Sequence, residues 1–471
     1  MKRIVAFLSI IVLSLSLFAC GLNGNRSQSL QVGYGKAEIM PEESVPLGGY
    51  GNTSNRMSTG YLSMIYATCV AFTDADNNTV LLFSADLVNT ADKAAAYCRT
   101  EVSKATGIPV ENIMFAATHM HSGPDLENVN EPSVARFRSY LAEQMSAAAK
   151  AALADRAVAK MQTATVQTRG LNFVRRYILE DGSAAGDNYG NFNQSPIENH
   201  ESVADSALQL IKFVREGKKE IIMANFQVHP HRAGGSRVFD ITADIVGAFR
   251  EEMEAKLGCN FIYFTGASGN INPTSRIGGE TATDDYEKQG IALANYAIGA
   301  EGSYTEQKTG KVKLLQSNYQ GQVDHSQDYK VAVARSVSAV WKSTGDRAQA
   351  MKVAKDAECD ISSPYAANGI VIKAALGPTM TLELYALSIG DVAFVFAPYE
   401  MFDTNGMEIK QGSPFKMTFV STMANGYSGY IPSALAWKNG GYSIDVTRFV
   451  EGTAEDLSAH FVSLLNQLHG A

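Results

Sequence analysis

The apolar and polar positions fall into short runs whose period changes along the chain. Val32-Gly33-Tyr34-Gly35 and the segments 64–73 and 79–84 are apolar and predict strands, the last two set around the turn Asp74-Ala75-Asp76-Asn77-Asn78. Ala and Tyr recur on one face of 91–106, and Val134, Phe137, Tyr140, Leu141 and Met145 line one side of 132–154, so both predict helices. Ile113-Met114-Phe115-Ala116-Ala117 reads as a buried strand, broken by Ser122-Gly123-Pro124. Further strands are predicted over 158–168, 207–214, 221–228, 261–264 and 311–319, and helices over 244–257 and 284–300. Helices within 329–356 break at Ser343-Thr344-Gly345. Strands over 380–389, 392–396 and 416–421 precede a final helix over 454–468. The polar, Gly/Asn-rich stretch 180–198 predicts a loop of functional length. Strands and helices alternate along most of the chain, which predicts one large mixed α/β domain.

Composition adds bounds. The 471 residues are 45% hydrophobic and 19% charged, enough for a large core. The net charge is -8, and no basic tract or interleaved aromatic patch occurs, which argues against a nucleic-acid partner. Lys2-Arg3 followed by apolar 4–18 is a targeting segment, too short for a stable membrane-spanning helix. Leu17-Phe18-Ala19-Cys20-Gly21 resembles the lipobox of bacterial lipoproteins, with Phe18 bulkier than usual. That resemblance implies a signal peptide over 1–20, lipidation at Cys20, a flexible tether over 21–31 and a folded domain over 32–471. It places the protein in the cell envelope or on the extracellular surface; ordinary secretion with cleavage nearby is the other reading. Taking Lys2 and Arg3 from the 40 basic residues leaves 38 against 48 acidic ones, near -10. Cys69, Cys98, Cys259 and Cys359 form no CxxC or close pair, so neither a zinc ribbon nor a redox motif is read, and Cys69 reads as core.

The candidate chemistry sits just past strand ends, where α/β sheets place their sites. Alternation predicts His119 and His121 on one side of the strand end, a metal-site geometry. A lone His-x-His is as often a hydrogen-bonded pair near a turn. Val228-His229-Pro230-His231 repeats the pattern at a second strand end. Thr265-Gly266-Ala267-Ser268-Gly269-Asn270-Ile271-Asn272-Pro273 is rich in small residues and backbone amides, suited to an oxyanion. Glu400 and the Tyr430 region follow two more strands.

Thr118-His119-Met120-His121-Ser122-Gly123-Pro124, Val228-His229-Pro230, Ala397-Pro398-Tyr399-Glu400 and Asn425-Gly426-Tyr427-Ser428-Gly429-Tyr430-Ile431 resemble motifs of the neutral (non-lysosomal) ceramidases. Pro46-Leu47-Gly48-Gly49-Tyr50-Gly51 looks like that family's N-terminal signature, and the resemblance spans about 32–443. It implies an amidohydrolase that cleaves an N-acyl amide of ceramide type with one zinc ion. By resemblance His119, His229, Glu400 and Tyr430 hold Zn2+, His121 shuttles a proton, and Tyr442 lies near the bound amide. Arg175 matches a family arginine, although Val174 stands where asparagine precedes it there. Asn272 takes the place of a family serine; asparagine is no nucleophile but can donate to an oxyanion, so attack by zinc-bound hydroxide is implied. His231 replaces a small polar residue and reads as solvated more readily than as a support for a ligand. The chain stops soon after its last helix, so the family's C-terminal β-sandwich domain is not expected. The implied partners are a lipid or other N-acylated small molecule, and the membrane through the N-terminal anchor. Plainer readings stand beside these: aromatic packing for Tyr427, Tyr430 and Tyr442, and an ion pair for Arg175 or Arg176. For the whole protein they are another ester, amide or glycoside as substrate, or a non-catalytic surface binding protein.

Overall fold

Two glycines set the first close packing. The strand Gln31–Glu38 runs antiparallel to Tyr66–Thr73, and the helix Pro132–Ala154 lies across it. A Cβ on Gly33 or Gly35 would fall on the carbonyls of Ala152 and Ala148, so only glycine lets this helix lie so close to the strand. The structure is a computed structural model and describes residues 30–470 other than 51–55, 129, 187–189, 191, 234–236 and 284. The expected signal peptide, Cys20, most of the tether and Gly51 of the N-terminal motif lie outside the described residues.

Among the described residues the larger sheet has nine strands. Its order is Asn260–Thr265, Ile221–Phe226, Ala207–Arg215, Ala157–Gln167, Gln31–Glu38, Tyr66–Thr73, Thr79–Ala85 and Ile113–Ala117, with Thr305–Gln307 added against Ala157–Gln167. Its interior pairs are antiparallel; Thr79–Ala85 with Ile113–Ala117, and Ile221–Phe226 with Asn260–Thr265, are parallel. A second sheet orders Val312–Gln322, Thr379–Ile389, Val392–Phe396 and Met417–Ser421, the last pair parallel. Phe72, Met114, Phe213 and Phe264 of the first sheet share one core with Tyr385, Phe394, Phe396 and Phe419 of the second.

Helices cover the outer faces. Asp92–Thr106 and Pro132–Ala154 cover one end of the large sheet, and Asp244–Leu257 and Tyr286–Gly299 the other. Asp403–Gly412 and Thr453–Gly470 cover the second sheet. The result is a helix–sheet–sheet–helix stack, the mixed α/β class that the pattern predicts. Val331–Thr344, Arg347–Asp356 and Pro364–Lys373 pack together as a helical cluster of their own. Among the described residues no helix is long and apolar enough to cross a membrane.

Three local outcomes differ from the sequence reading. The stretch 180–198 carries strands Ala184–Gly186 and the start of Ile197–His200, which pair with Arg176–Leu179 in a small sheet. Pro364–Lys373 and Asp403–Gly412 are helices that periodicity did not reveal, since Ala366, Ala367, Gly369, Asn405 and Gly406 give little apolar contrast. The first of them does carry a start signal, Ser363 capping the amide of Ala366 at 3.0 Å with Pro364 after it. Cys69, Cys98 and Cys259 are buried, Cys359 is half-buried, and all four are free thiols.

Gly35→Val should lower stability by about 2–3 kcal/mol through overpacking against the 132–154 helix, read as a lower urea midpoint by circular dichroism. An unchanged midpoint would mean that the helix shifts without cost.

Candidate metal centre

The parallel pairs bring several strand C-termini to one end of the stack. His119 follows Ile113–Ala117, His229 follows Ile221–Phe226, Asn272 follows Asn260–Thr265, Glu400 follows Val392–Phe396, and Tyr427 and Tyr430 follow Met417–Ser421. The two sheets are stitched together there. Ala117 donates to the Met423 carbonyl, Thr422 to that of Thr265, and Asn425 exchanges two hydrogen bonds of 2.8 Å with the backbone of Phe115. Asn225, buried between the sheets, donates to the carbonyls of Phe264 and Val420.

Alternation along a strand is not what aims the histidines. The strand stops at Ala117, and His119 adopts φ 66°, a left-handed conformation unusual for a side chain of that size. The Thr118 amide bonds the Ala85 carbonyl and the His121 amide the Pro230 carbonyl, so both flanks of the twist are held. The rings of His119 and His121 still converge, 5.0 Å apart at 86°. Gly49, at φ 103°, is the glycine of the N-terminal motif that this requires, since a Cβ there would stand 2.6 Å from the His121 ring. Arg56 grips the same turn through the His121 carbonyl at 2.7 Å.

Each donor is fixed from behind. His119 Nδ1 donates to the Val88 carbonyl at 2.6 Å and His229 Nδ1 to that of Ile271 at 2.9 Å. A carbonyl only accepts, so both rings carry their proton on Nδ1 and present an Nε2 lone pair inward. Tyr427 donates to Glu400 Oε1 at 2.7 Å and leaves Oε2 facing the two rings, 3.5 Å from His119 Nε2 and 3.3 Å from His229 Nε2. These three atoms, and both ring nitrogens of His121, are buried without a hydrogen-bond partner. His119, His121 and His229 offer nitrogens within 4.8 Å of one another. Several unsatisfied polar atoms buried in one place carry a large desolvation cost. A metal ion among them removes it, and imidazole nitrogens with a carboxylate are a fitting donor set.

The electrostatics agree with metal-ready ligands. Burial, then the neighbouring histidines, pushes the His121 ring well below the ordinary imidazole value, and burial, His119 and Arg175 take His229 down to about 3. Both rings are therefore neutral at physiological pH, as ligation requires. Burial alone would raise the Glu400 carboxyl; positive charge facing it from the side of His119 and His229 outweighs burial and holds the group ionised. Burial, with Glu400 nearby, holds the Tyr430 phenol well above its usual value, and Tyr442 goes up to about 12.

The remaining predicted residues gather round this cluster. Glu400 pairs with Tyr430 as the first residues of two short parallel strands. Arg175 is buried and donates to the Tyr430 hydroxyl at 3.0 Å and to the Gly269 carbonyl at 2.8 Å, so it is neither a surface ion pair nor solvated. Tyr442 stacks edge-on against Tyr430 at 5.7 Å. Asn272 is buried on a short ribbon paired with Phe173, next to the Ile271 carbonyl that holds His229. His231, read as solvated, instead bonds Asn272 Oδ1 through Nε2 at 3.0 Å, its ring 5.6 Å from His121. Tyr427, read as packing, supports Glu400; its place in the same motif as Tyr430 was the signal available.

Part of the glycine loop that was expected to cradle an oxyanion serves the fold instead. The amides of Gly266, Gly269 and Ile271 are taken by the carbonyls of Phe226, Met401 and Ser268. A Cβ on Gly269 would stand 2.8 Å from the Glu400 carbonyl, so the loop's small residues admit the strand end that carries Glu400.

No protein-family profile matches the chain, and no curated protein matches it in sequence. Solved structures do match in fold. The neutral ceramidase of Pseudomonas aeruginosa superposes with a TM-score of 0.70 at 15% identity, over 94% of this chain and 75% of that one. A structure described as ceramidase complexed with C2 gives 0.68 at 15% identity, over 94% and 76%. The chain has a neutral-ceramidase-like fold.

His119→Ala should abolish tight metal binding, measured by metal content after dialysis. Tyr427→Phe should weaken it about 10–100-fold, because the carboxylate loses the donor that orients it. Unchanged affinity in Tyr427→Phe would remove that support role.

Proposed function

We propose that this protein is a zinc-dependent amidohydrolase that cleaves an N-acyl amide of ceramide type. The observation that carries the reading is the set of buried, unpaired atoms of His119, His121, His229 and Glu400, facing one another within a ceramidase-like fold. In this reading His119, His229 and Glu400 hold the zinc, with Tyr430 as a more distant ligand. Bound zinc supplies a Lewis acid and lowers the pKa of water to about 7.

The chain's own groups supply the rest. His121, neutral and with both ring nitrogens unpaired, accepts a proton at one nitrogen and returns it to the leaving amine. Asn272 donates from its amide nitrogen to the oxygen that gains charge as the carbonyl is attacked. Arg175 fixes the Tyr430 hydroxyl, and Tyr442 packs on the Tyr430 ring, so both hold the wall beside Glu400. The substrate is a lipid or another N-acylated small molecule, and the N-terminal segment anchors the protein to the envelope through lipidated Cys20.

The test is turnover of fluorescent N-acyl substrates by protein of measured zinc content, before and after chelation. Amide cleavage lost on chelation and restored by zinc is expected. Zinc-loaded protein that cleaves no N-acyl amide would overturn the substrate class. His121→Ala should lower kcat about 100–10,000-fold with zinc retained; loss of zinc instead would make His121 a ligand.

A further inference from the structure

We propose that a lysine-lined groove, at the end of the molecule opposite the metal centre, docks on the anionic headgroup surface of a membrane. Lys308, Lys311, Lys313 and Lys416 line one groove of about 670 Å³, and Asp391 is the one acidic side chain among its lining residues. Lys308, Lys311 and Lys416 are exposed. Asp76 meets Lys311 from outside the groove at 3.1 Å, and an ion pair so exposed is weak. The groove thus concentrates positive charge on a chain whose net charge is -8. The fold builds this concentration from distant segments. Gly390 and Asp391 form the turn between Thr379–Ile389 and Val392–Phe396. The Asp391 amide bonds the Lys308 carbonyl at 3.1 Å, and the Lys416 amide bonds the Asp391 carbonyl at 3.0 Å. Asp391 Oδ2 accepts from the Lys308 amide at 3.1 Å, so the carboxylate braces the loop that carries the lysine. Gly390, at φ 57°, is required here, since a Cβ would fall on the Lys308 carbonyl.

Charge, position and chain entry together select a membrane as the occupant. The lining residues include lysines and no arginine. Ammonium groups on flexible stems suit a field of mobile headgroups better than one fixed phosphate, which a planar guanidinium fork grips. Asp391 and Lys416 immediately precede Val392–Phe396 and Met417–Ser421, whose other ends lead to Glu400 and Tyr430. A five-residue strand spans about 17 Å, so the groove and the metal centre lie at opposite ends of the same strands. The chain enters the fold on the groove side. Gln31 pairs with Thr73, and the next residue, Asp74, accepts from the Val312 amide at 3.0 Å. A tether from a lipidated Cys20 therefore arrives beside the lysines; this point alone rests on the anchor reading above. A flexible tether leaves orientation free. An anionic surface repels the acidic remainder of the chain and attracts the groove, which fixes the end that faces the bilayer. Docked in this way, the metal centre faces away from that bilayer.

The experiment is vesicle co-sedimentation at low ionic strength. It uses the chain from residue 20 onward with Cys20→Ser, which carries no lipid and contains every described residue. Vesicles of phosphatidylglycerol mixed with phosphatidylcholine should bind it, those of phosphatidylcholine alone should not, and added salt should release it. Lys308→Gln combined with Lys416→Gln should weaken partitioning about 10–30-fold, with metal content and circular dichroism unchanged. Lys342→Gln combined with Lys438→Gln removes the same charge from exposed positions elsewhere and should keep most of the binding. Equal loss in the two double variants would overturn the proposal, since net charge and not the groove would then decide. No partitioning into anionic vesicles, or equal partitioning into phosphatidylcholine alone, would overturn it too. Binding of inorganic phosphate or heparin without vesicle partitioning would overturn the membrane as occupant. Neither acyl anchor nor substrate enters the measurement, so the fate of the anchor and hydrolase readings does not bear on its outcome.

Discussion

Three imidazoles and a carboxylate are held out of water with their lone pairs turned on one another, and the rest of the structure serves that constraint. Left alone, such a cluster is destabilising, since each buried polar atom has lost its water and gained no partner. A shared cation reverses the balance, which is why the arrangement fits a metal centre. The outward-facing atoms of three of these groups are satisfied, His119 by Val88, His229 by Ile271 and Glu400 by Tyr427, while His121 has both ring nitrogens open. The inward-facing ones are all open. That division between satisfied backs and open fronts is the physical mark of the site.

Holding it takes two sheets, not one. The large sheet supplies the histidines and Asn272, and the smaller one supplies Glu400 and the tyrosines. The face-to-face packing of Phe72, Phe213 and Phe264 against Phe394, Phe396 and Phe419 sets the spacing, and apolar packing of that kind is dense enough to transmit position. At the site end, where facing apolar side chains give way to backbone, Asn225 and Asn425 replace packing with hydrogen bonds between the sheets. Arg175 adds a further tie from the ribbon of Asn272 to Tyr430.

Close approach at the centre depends on what the side chains lack. Gly49 lets its loop lie against the His121 ring, and Gly269 lets the Glu400 strand end lie against the loop after Asn260–Thr265. The strained φ of His119 belongs with these: the turn that carries it is held by hydrogen bonds on both flanks, so the strain is offset by the surrounding fold. In the same crowded loop the amides of Gly266 and Gly269 are already used to fix Phe226 and Met401.

Much of this was legible in the sequence. Apolar period identified most strands and helices, among them Pro132–Ala154 and Asp244–Leu257 to the residue, because burial of one face imposes a repeat that any core-forming element must show. It also showed that polar motifs follow strand ends, and motif resemblance singled out His119, His229, Glu400 and Tyr430 before any coordinates. What the chain by itself could not show was contact between residues far apart along it. That Tyr427 holds Glu400, that Arg175 reaches Tyr430, and that His231 meets Asn272 depend on side-chain directions set by turns outside regular periodicity. The left-handed twist at His119 is of the same kind, since the local pattern there predicts simple alternation. Local sequence determines which segments bury a face; only the packed sheets decide which polar atoms are left facing one another, because that depends on the sum of many distant contacts and on no repeat within the chain.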